Sequence, residues 1–423
     1  MDFDLPTELV AYLAELDEFI AREIKPLEEQ DDNIRFFDHR REYSRTDWER
    51  GGLPTQDWED LLAEARRRAD GAGHYRYPFP EEFGGRNGSN LGMAVIREHL
   101  AAKGLGLHCD LQNEHAIVGN NVGLLLMLQY GTEQQKRDWV DDLADGRRHF
   151  AFGITEPDHG SDATWMETTA VRDGDKWIIN GEKTWNTGVH TASHDIIFAR
   201  TSGAAGDGHG ITGFLVPTDT AGFAVEKYLW TFNMPTDHAH ISVRNVRVPE
   251  TAVFGRVGHG LEVVQHFFNE NRIRQAASSL GAAQYCINEA ISYAKTRTPF
   301  GKPLSINQGI QFPLVEFQTQ CEMLRALLHK TAWLMDLHGA FSESSRVSMC
   351  NYWSNRLCCQ AADFAMQVHG GLGYSRHKPF EHIYRHHRRY RITEGAEEIQ
   401  MRRIAGYMFG FMAQEAPKGV GIA

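Results

Sequence analysis

The sequence predicts an α+β chain, mainly α, in which a helical region, a compact antiparallel β region and a second, larger helical region follow one another. Three observations predict it. Apolar residues recur at helical spacing up to about residue 148 and again from about residue 257. The residues between read as short strands separated by Gly, Pro and Asp, and nowhere do strands and helices alternate as in a doubly wound nucleotide fold. The expected domains are 1–148, 149–256 and 257–411, with a tail at 412–423.

Leu9, Leu13, Leu16, Phe19 and Ile20 predict an amphipathic helix from Leu9 to Ile24, which Pro26 interrupts. Residues 31–60 are polar and aromatic with little period. Helical patterning resumes near Leu61 and again from Leu91 to Leu128. In the β region the apolar runs on either side of Asn180-Gly181 predict a hairpin with its tight turn at that dipeptide. Further strands are expected at 195–200, 211–217, 223–230 and 239–249. Long helices follow around 261–296, 311–338 and 345–369.

A chain of 423 residues, 42% hydrophobic and 24% charged, can bury a large core, and its net charge of -12 argues against a general nucleic-acid surface. The acidic start MDFDLPTELV has no signal-peptide pattern and no later run is apolar for long enough to span a bilayer, so a cytoplasmic protein is expected. Cys109, Cys286, Cys321, Cys350, Cys358 and Cys359 form no CxxC pair and are expected to be reduced and mostly buried. GxGxxG after a strand, GxxxxGK[ST], GxSxG and HExxH are all absent, against nicotinamide, ATP, serine-hydrolase and zinc-protease chemistry. His382 and His386 are spaced i, i+4 but lack a third ligand; an electrostatic or packing role is expected, and no metal.

Two segments concentrate unusual polar chemistry. Phe152 to Asp162 combines hydroxyls with glycine at the helical-to-β junction, suiting either a ring system or pyrophosphate, or an ordinary Asx turn. Ile392 to Gln400 follows the basic run Arg385 to Arg391, and Glu394-Gly395 within it is either a closely approached carboxylate or a solvated helix end.

Phe152 to Asp162, Arg297-Thr298-Pro299-Phe300-Gly301-Lys302-Pro303-Leu304 with Gln308, Gln367 to Tyr374, and Glu394-Gly395 stand in an order and at a spacing that resemble the acyl-CoA dehydrogenase family. Gly131 to Lys136 also matches, so the resemblance runs from about residue 90 to 405. It implies an N-terminal helical domain, a central β domain and a C-terminal four-helix bundle, one FAD per subunit and assembly as a homodimer or homotetramer.

By the same resemblance Phe152, Ile154 and Thr155 line the flavin, Ser161 lies near pyrophosphate or pantetheine, and Trp185 and Thr187 cover the other face of the ring. Arg297, Phe300, Gln308, Gln367 and Gly371 reach the adenosine and pyrophosphate of a neighbouring subunit's FAD, and Ala396 and Glu398 join the cofactor set. Ser161, Arg272, Thr393 and Gly395 border the substrate. Glu394 is the implied base for the α-proton of an acyl thioester. The alternative base of some relatives, in a Glu-Arg pair on an earlier helix, is missing, because that pair reads Asn271-Arg272.

The implied reaction converts an acyl-CoA to a trans-2-enoyl-CoA, with electrons passing from FAD to an electron-transfer flavoprotein. His159 and Trp165 stand where the family has small residues, Thr393 replaces a frequent tyrosine and Ala396 a frequent threonine, which leaves the acyl group open. The rival readings are an oxidase or monooxygenase of the same fold and a scaffold without flavin.

Overall fold

The computed structural model describes residues 4–109, 116–119 and 122–412. The expected tail lies outside them beyond Met412. The chain begins with α1 (Thr7–Phe19) and α2 (Lys25–Glu29), a short pair β1 (Thr46–Asp47) and β2 (Leu53–Pro54), and α3 (Gln56–Gly71), α4 (Asn90–Ala101), α5 (Val122–Tyr130) and α6 (Glu133–Ala144). The strands follow: β3 (Phe150–Gly153), β4 (Thr169–Asp173), β5 (Lys176–Thr187), β6 (His194–Arg200), β7 (Ile211–Pro217), β8 (Phe223–Tyr228), β9 (His238–Pro249) and β10 (Val253–Phe254). The chain continues with α7 (Gly260–Thr296), α8 (Gln308–His338), α9 (Ser344–His369), α10 (Gly371–Tyr374), α11 (Phe380–Tyr390) and α12 (Glu397–Met408).

Two compact units result. One contains Met1–Ser44, Gln56–Asn120 and Asn269–Ala423; the other contains Arg45–Thr55 and Asn121–Phe268. In the helical unit a single apolar cluster joins Leu16, Phe19 and Ile24 near the start of the chain, Met93 and Ile96 of α4, and Leu280, Leu328, Val347 and Leu357 of α7, α8 and α9. The start of α4 is held twice: Ser89 accepts the Gly92 N–H, and the Asp336 carboxylate accepts the N–H groups of Asn90 and Leu91 at 2.7 and 3.1 Å. A carboxylate there also meets the positive end of the helix dipole.

Pro26 does not break the first helix as expected. The chain passes from α1 into a π-helical turn at Ile20–Ile24, and Pro26 falls in the first turn of α2, where a missing N–H is tolerated.

The other unit is built on eight strands in the order β10-β7-β6-β4-β5-β9-β8, with β3 beside β6. The expected antiparallel pattern holds for most neighbours, but β3 runs parallel to β6, pairing Phe152 with Ile196. The expected hairpin turn at Asn180-Gly181 is corrected: β5 runs straight through it, with a bulge against β9 between Ile179 and Gly181. Gly181 serves a close approach, since a Cβ there would meet Thr168 Oγ1 at 2.3 Å, while Asn180 Oδ1 accepts the Asn245 N–H. The tight turn falls instead at Gly174-Asp175, where Asp173 pairs with Lys176 and Gly174 takes φ +63°.

The Gly131 to Lys136 motif is a helix start. Thr132 and Gln135 form a reciprocal capping box at α6, and Gln135 also donates to the carbonyls of Thr251 and Val253, both at 2.9 Å. All six cysteines are buried and none is in a disulfide. Among the described residues no helix is long and apolar enough to cross a membrane.

Candidate active site

In the helical unit, the turn between α11 and α12 carries Glu394. Arg391 closes it, donating from Nε and Nη2 to the Glu397 carboxylate at 3.0 and 2.8 Å while its carbonyl accepts the Glu397 N–H. Within the turn Glu394 has φ +51° and Gly395 φ +94°. A non-glycine residue in this region costs about 1–3 kcal/mol and persists only where its surroundings hold it.

Arg272, buried on α7, does that holding: Nε and Nη2 both donate to the Glu394 carbonyl, Nε at 3.0 Å. Gln400 of α12 donates to the carbonyls of Glu394 and Gly395 at 3.2 and 3.0 Å. The carboxylate is held as well, with Gln275 Nε2 donating to Glu394 Oε2 at 2.7 Å. Burial pulls the Arg272 guanidinium down to about 9, Arg403 adds to this and Glu394 opposes it, so Arg272 remains a cation at neutral pH.

Arginines of the basic run before Glu394 balance acids. Arg385 pairs with Glu381, Arg391 with Glu397, and His386 and His387 are buried. Burial pulls His387 down to about 3 and His386 well below its ordinary value. His387 meets Ser279 at 2.8 Å and His386 meets the Tyr390 hydroxyl at 2.9 Å, so of the two roles expected for the His382 and His386 pair, packing fits. Among the described residues no three His, Cys, Asp or Glu side chains gather to hold a metal.

In the sheet unit, the Phe152 to Asp162 segment begins at the end of β3 and then turns, with the backbones of Glu156 and His159 hydrogen-bonded to each other in both directions. Phe152 stacks on Phe267, centroids 4.1 Å apart, and Ile154 is buried, while Thr155 is partly exposed and Ser161 exposed. A buried ion pair fixes the segment: Lys183 Nζ donates to the Ile154 carbonyl at 3.1 Å and to Glu156 Oε1 at 2.8 Å, and Glu156 also accepts the N–H groups of Glu167 and Thr168.

Directly beside Lys183 on β5, a bulge between Thr184 and Asn186 sets Trp185 at φ +64° and leaves it half exposed. Thr187 Oγ1 donates to the Trp185 carbonyl at 3.2 Å. Asn186 faces inward and donates to Asp195, whose carboxyl burial pushes up to about 7.

A third group lies on the helical unit. Arg297, Phe300, Gln308, Gln367 and Gly371 are all exposed, Phe300 at 105% and with φ +55°. Nothing lies within 4 Å of where side chains would project from Gly301, Gly370 and Gly371. Thr393 and Glu398 are exposed, Ala396 partly so. The sequence alone had not singled out Gln275, Asn351, Lys183, Glu156, Asn186 or Asp195. Their signal is geometric: Gln275 meets Glu394 from 119 residues away and Lys183 meets Glu156 from 27.

These features fit FAD. An outward aromatic held in a strained conformation, an exposed arginine and glycines with open space beside them suit the adenosine and pyrophosphate, and Trp185 with Thr187 offers a half-exposed platform for a flat ring. Fold and site together suit a flavin-dependent oxidoreductase of the helical, sheet, helical kind.

The chain belongs to the acyl-CoA dehydrogenase family: the family's N-terminal, middle and C-terminal domain models match residues 6–147, 151–246 and 258–409. It is 34% identical over 337 residues to an acyl-CoA dehydrogenase of Bacillus subtilis, covering 79% of this chain and 86% of the relative. The solved acyl-CoA dehydrogenase of Geobacillus kaustophilus superposes with a TM-score of 0.76 at 27% identity, over 96% of this chain and 100% of that one. A chain from the structure described as the electron-transferring flavoprotein of Acidaminococcus fermentans gives 0.76 at 26% identity, over 96% and 99%. The protein is an FAD-dependent oxidoreductase of the acyl-CoA dehydrogenase class.

Proposed function

We propose that the enzyme removes the elements of hydrogen from Cα and Cβ of an acyl-CoA thioester, giving a trans-2-enoyl-CoA, with Glu394 as the base. The observation that carries this reading is the clamped turn: a carboxylate at positive φ whose backbone carbonyl and side chain are each held by buried donors from α7. Such restraint serves a group that must meet one carbon-bound proton in one geometry. FAD, when bound, supplies the two-electron acceptor for the hydride leaving Cβ.

The chain's own residues do the rest. Glu394 takes the α-proton onto its carboxylate, and its backbone N–H is the proposed donor to the thioester carbonyl oxygen, where charge grows as that proton leaves. Gly395 keeps the approach open, and Thr393 and Ser161 border the acyl and pantetheine portions. Arg272 directs two of its donors at the Glu394 carbonyl, which supports a role in setting the turn.

Phe152, Ile154, Thr155, Trp185 and Thr187 are proposed to hold the ring system, with Ala396 and Glu398 in the same subunit's cofactor set. Arg297, Phe300, Gln308, Gln367 and Gly371 are proposed to hold the adenosine and pyrophosphate of a second copy's FAD, in a dimer or tetramer. The electron acceptor proposed is an electron-transfer flavoprotein, a reading supported by the family and by the likeness to the Acidaminococcus fermentans chain.

The test is anaerobic flavin reduction by a panel of linear, branched and cyclic acyl-CoAs, followed by Glu394→Gln with the fastest of them. The variant is expected to keep its yellow cofactor and to lose at least ~100-fold in reduction rate, the lower range for a positioned base. Reduction at the wild-type rate sinks the assignment.

A further inference from the structure

We propose that Gln275 is a positioning residue for the reaction, holding the Glu394 carboxylate in one orientation through an amide relay that begins at Asn351. This rests on the assignment of Glu394 as the base. Gln275 lies one turn along α7 from Arg272, so both side chains leave the same helix face. Arg272 grips the backbone of Glu394 and Gln275 its carboxylate: one helix face fixes both ends of one residue.

The orientation of the Gln275 amide follows from its partners. Asn351 of α9 meets the Arg272 carbonyl at 3.0 Å, and since a carbonyl only accepts, the Asn351 atom there is its NH₂. That same NH₂ donates to Gln275 at 3.2 Å, so the Gln275 oxygen faces Asn351 and its NH₂ faces Glu394 Oε2, 2.7 Å away. Gln275 and Asn351 are 3% and 1% exposed, so water does not readily replace either contact.

The charged carboxylate therefore meets a donor fixed by two helices and does not depend on solvent to choose its rotamer. Glutamine suits the task because it donates to the carboxylate without carrying a charge that would bind the abstracted proton's partner too strongly. An apolar residue of equal length would fill the space and leave that oxygen without the donor.

The experiment uses the FAD-loaded enzyme and compares wild type with Gln275→Met, Gln275→Glu, Asn351→Leu and Glu394→Gln. For Gln275→Met the limiting rate of flavin reduction is expected to fall ~10- to 100-fold, the scale of a misplaced catalytic group. Acyl-CoA affinity should stay within about 2-fold of wild type, as expected when an interaction outside uniform substrate binding is removed. Deuterium at Cα should slow the variant more than it slows wild type, because proton abstraction becomes the slower step.

A second readout needs no turnover: the infrared carboxylate band that disappears in Glu394→Gln should move in Gln275→Met and, less, in Asn351→Leu. Gln275→Glu keeps the length of the side chain and its contact with Asn351 but sets a second carboxyl against Glu394, whose like charge replaces the amide donor; it too should reduce flavin slowly. A wild-type rate and isotope effect in Gln275→Met, with Glu394→Gln inactive, overturns the relay and leaves the base standing. Wild-type reduction by Glu394→Gln removes the base assignment and the relay with it.

Discussion

Lys183 Nζ lies 2.8 Å from Glu156 Oε1, with the lysine fully buried and the glutamate nearly so. Burial works to raise the Glu156 carboxyl, but the Lys183 charge and the N–H donors around it outweigh that and hold it below its ordinary range. Burial also pulls Lys183 down against its partner's pull. With three donors converging on one carboxylate, the charged pair is the arrangement the geometry supports.

Lys183→Met should therefore cost about 3–5 kcal/mol, because it leaves a buried carboxylate without its cation. Chemical denaturation followed by tryptophan fluorescence measures it. The same variant should release FAD more readily, since Lys183 also ties down the Ile154 carbonyl. An unchanged unfolding midpoint would show that the pair contributes little.

Asp195 gives the pH dependence. Burial pushes its carboxyl from the ordinary 3.8 to about 7, while the Asn186 N–H and Lys183 pull the other way. A carboxyl raised in the folded state binds its proton more tightly there than in the unfolded chain. Its contribution to stability is thus present in full below about pH 4 and is lost as pH rises through about 7. Asp195→Asn should remove that loss, so the variant gains on wild type between pH 5 and 8, up to ~4 kcal/mol at the upper end. Thermal unfolding across that range tests it, and a pH-independent difference between the two proteins would contradict it.

Gly395→Ala probes the clamped turn. Gly395 has φ +94°, and a Cβ there would lie 3.3 Å from Arg272 Nη2. The strain is expected to cost about 1–3 kcal/mol and to shift the Arg272 contact that seats Glu394. Flavin reduction should slow by ~10-fold or more, following the displacement of a catalytic group. Stopped-flow reduction alongside thermal unfolding separates the two effects.

Phe300→Ala should behave in the opposite way. An aromatic that is 105% exposed at φ +55° contributes no burial to its own subunit, so subunit stability should stay within about 0.5 kcal/mol of wild type. FAD retention should fall, with cofactor lost on gel filtration and restored by added FAD. Full retention would separate Phe300 from the cofactor.

The parts of this structure that were legible in the sequence are those set by local pattern. The apolar period of α7, α8 and α9 located them within a few residues, and the α+β order of the chain followed from the change of period alone. Asn180-Gly181 misled because the pair that favours a tight turn also suits a bulge and a close backbone approach; Asp173-Gly174-Asp175 carried the turn. β3 was missed because it is four residues long and pairs with a strand more distant in the chain.

At the candidate site the limit was sequence distance. Glu394 stood out only through the ordered motifs around it, and nothing local marks Gln275, which meets it from 119 residues away. Lys183 and Glu156, 27 apart, carry no shared pattern either. A buried polar partner is selected by the space around it, and that space exists only once the helices and strands have packed.

The helical unit takes its first segments from one end of the chain and the rest from the other. Leu16, Phe19, Ile24, Met93 and Ile96 belong to one apolar cluster with residues of α7, α8 and α9. On the ribosome those early faces emerge long before their partners are made, and at about 5–20 residues per second the wait is on the order of tens of seconds. The sheet unit, apart from Arg45–Thr55, is continuous in the chain and can close during that interval. Synthesis therefore imposes an order on this protein: the nascent helices stand exposed to chaperones while the sheet forms, and only α7 and the helices after it complete the apolar cluster and bring the residues that seat Glu394.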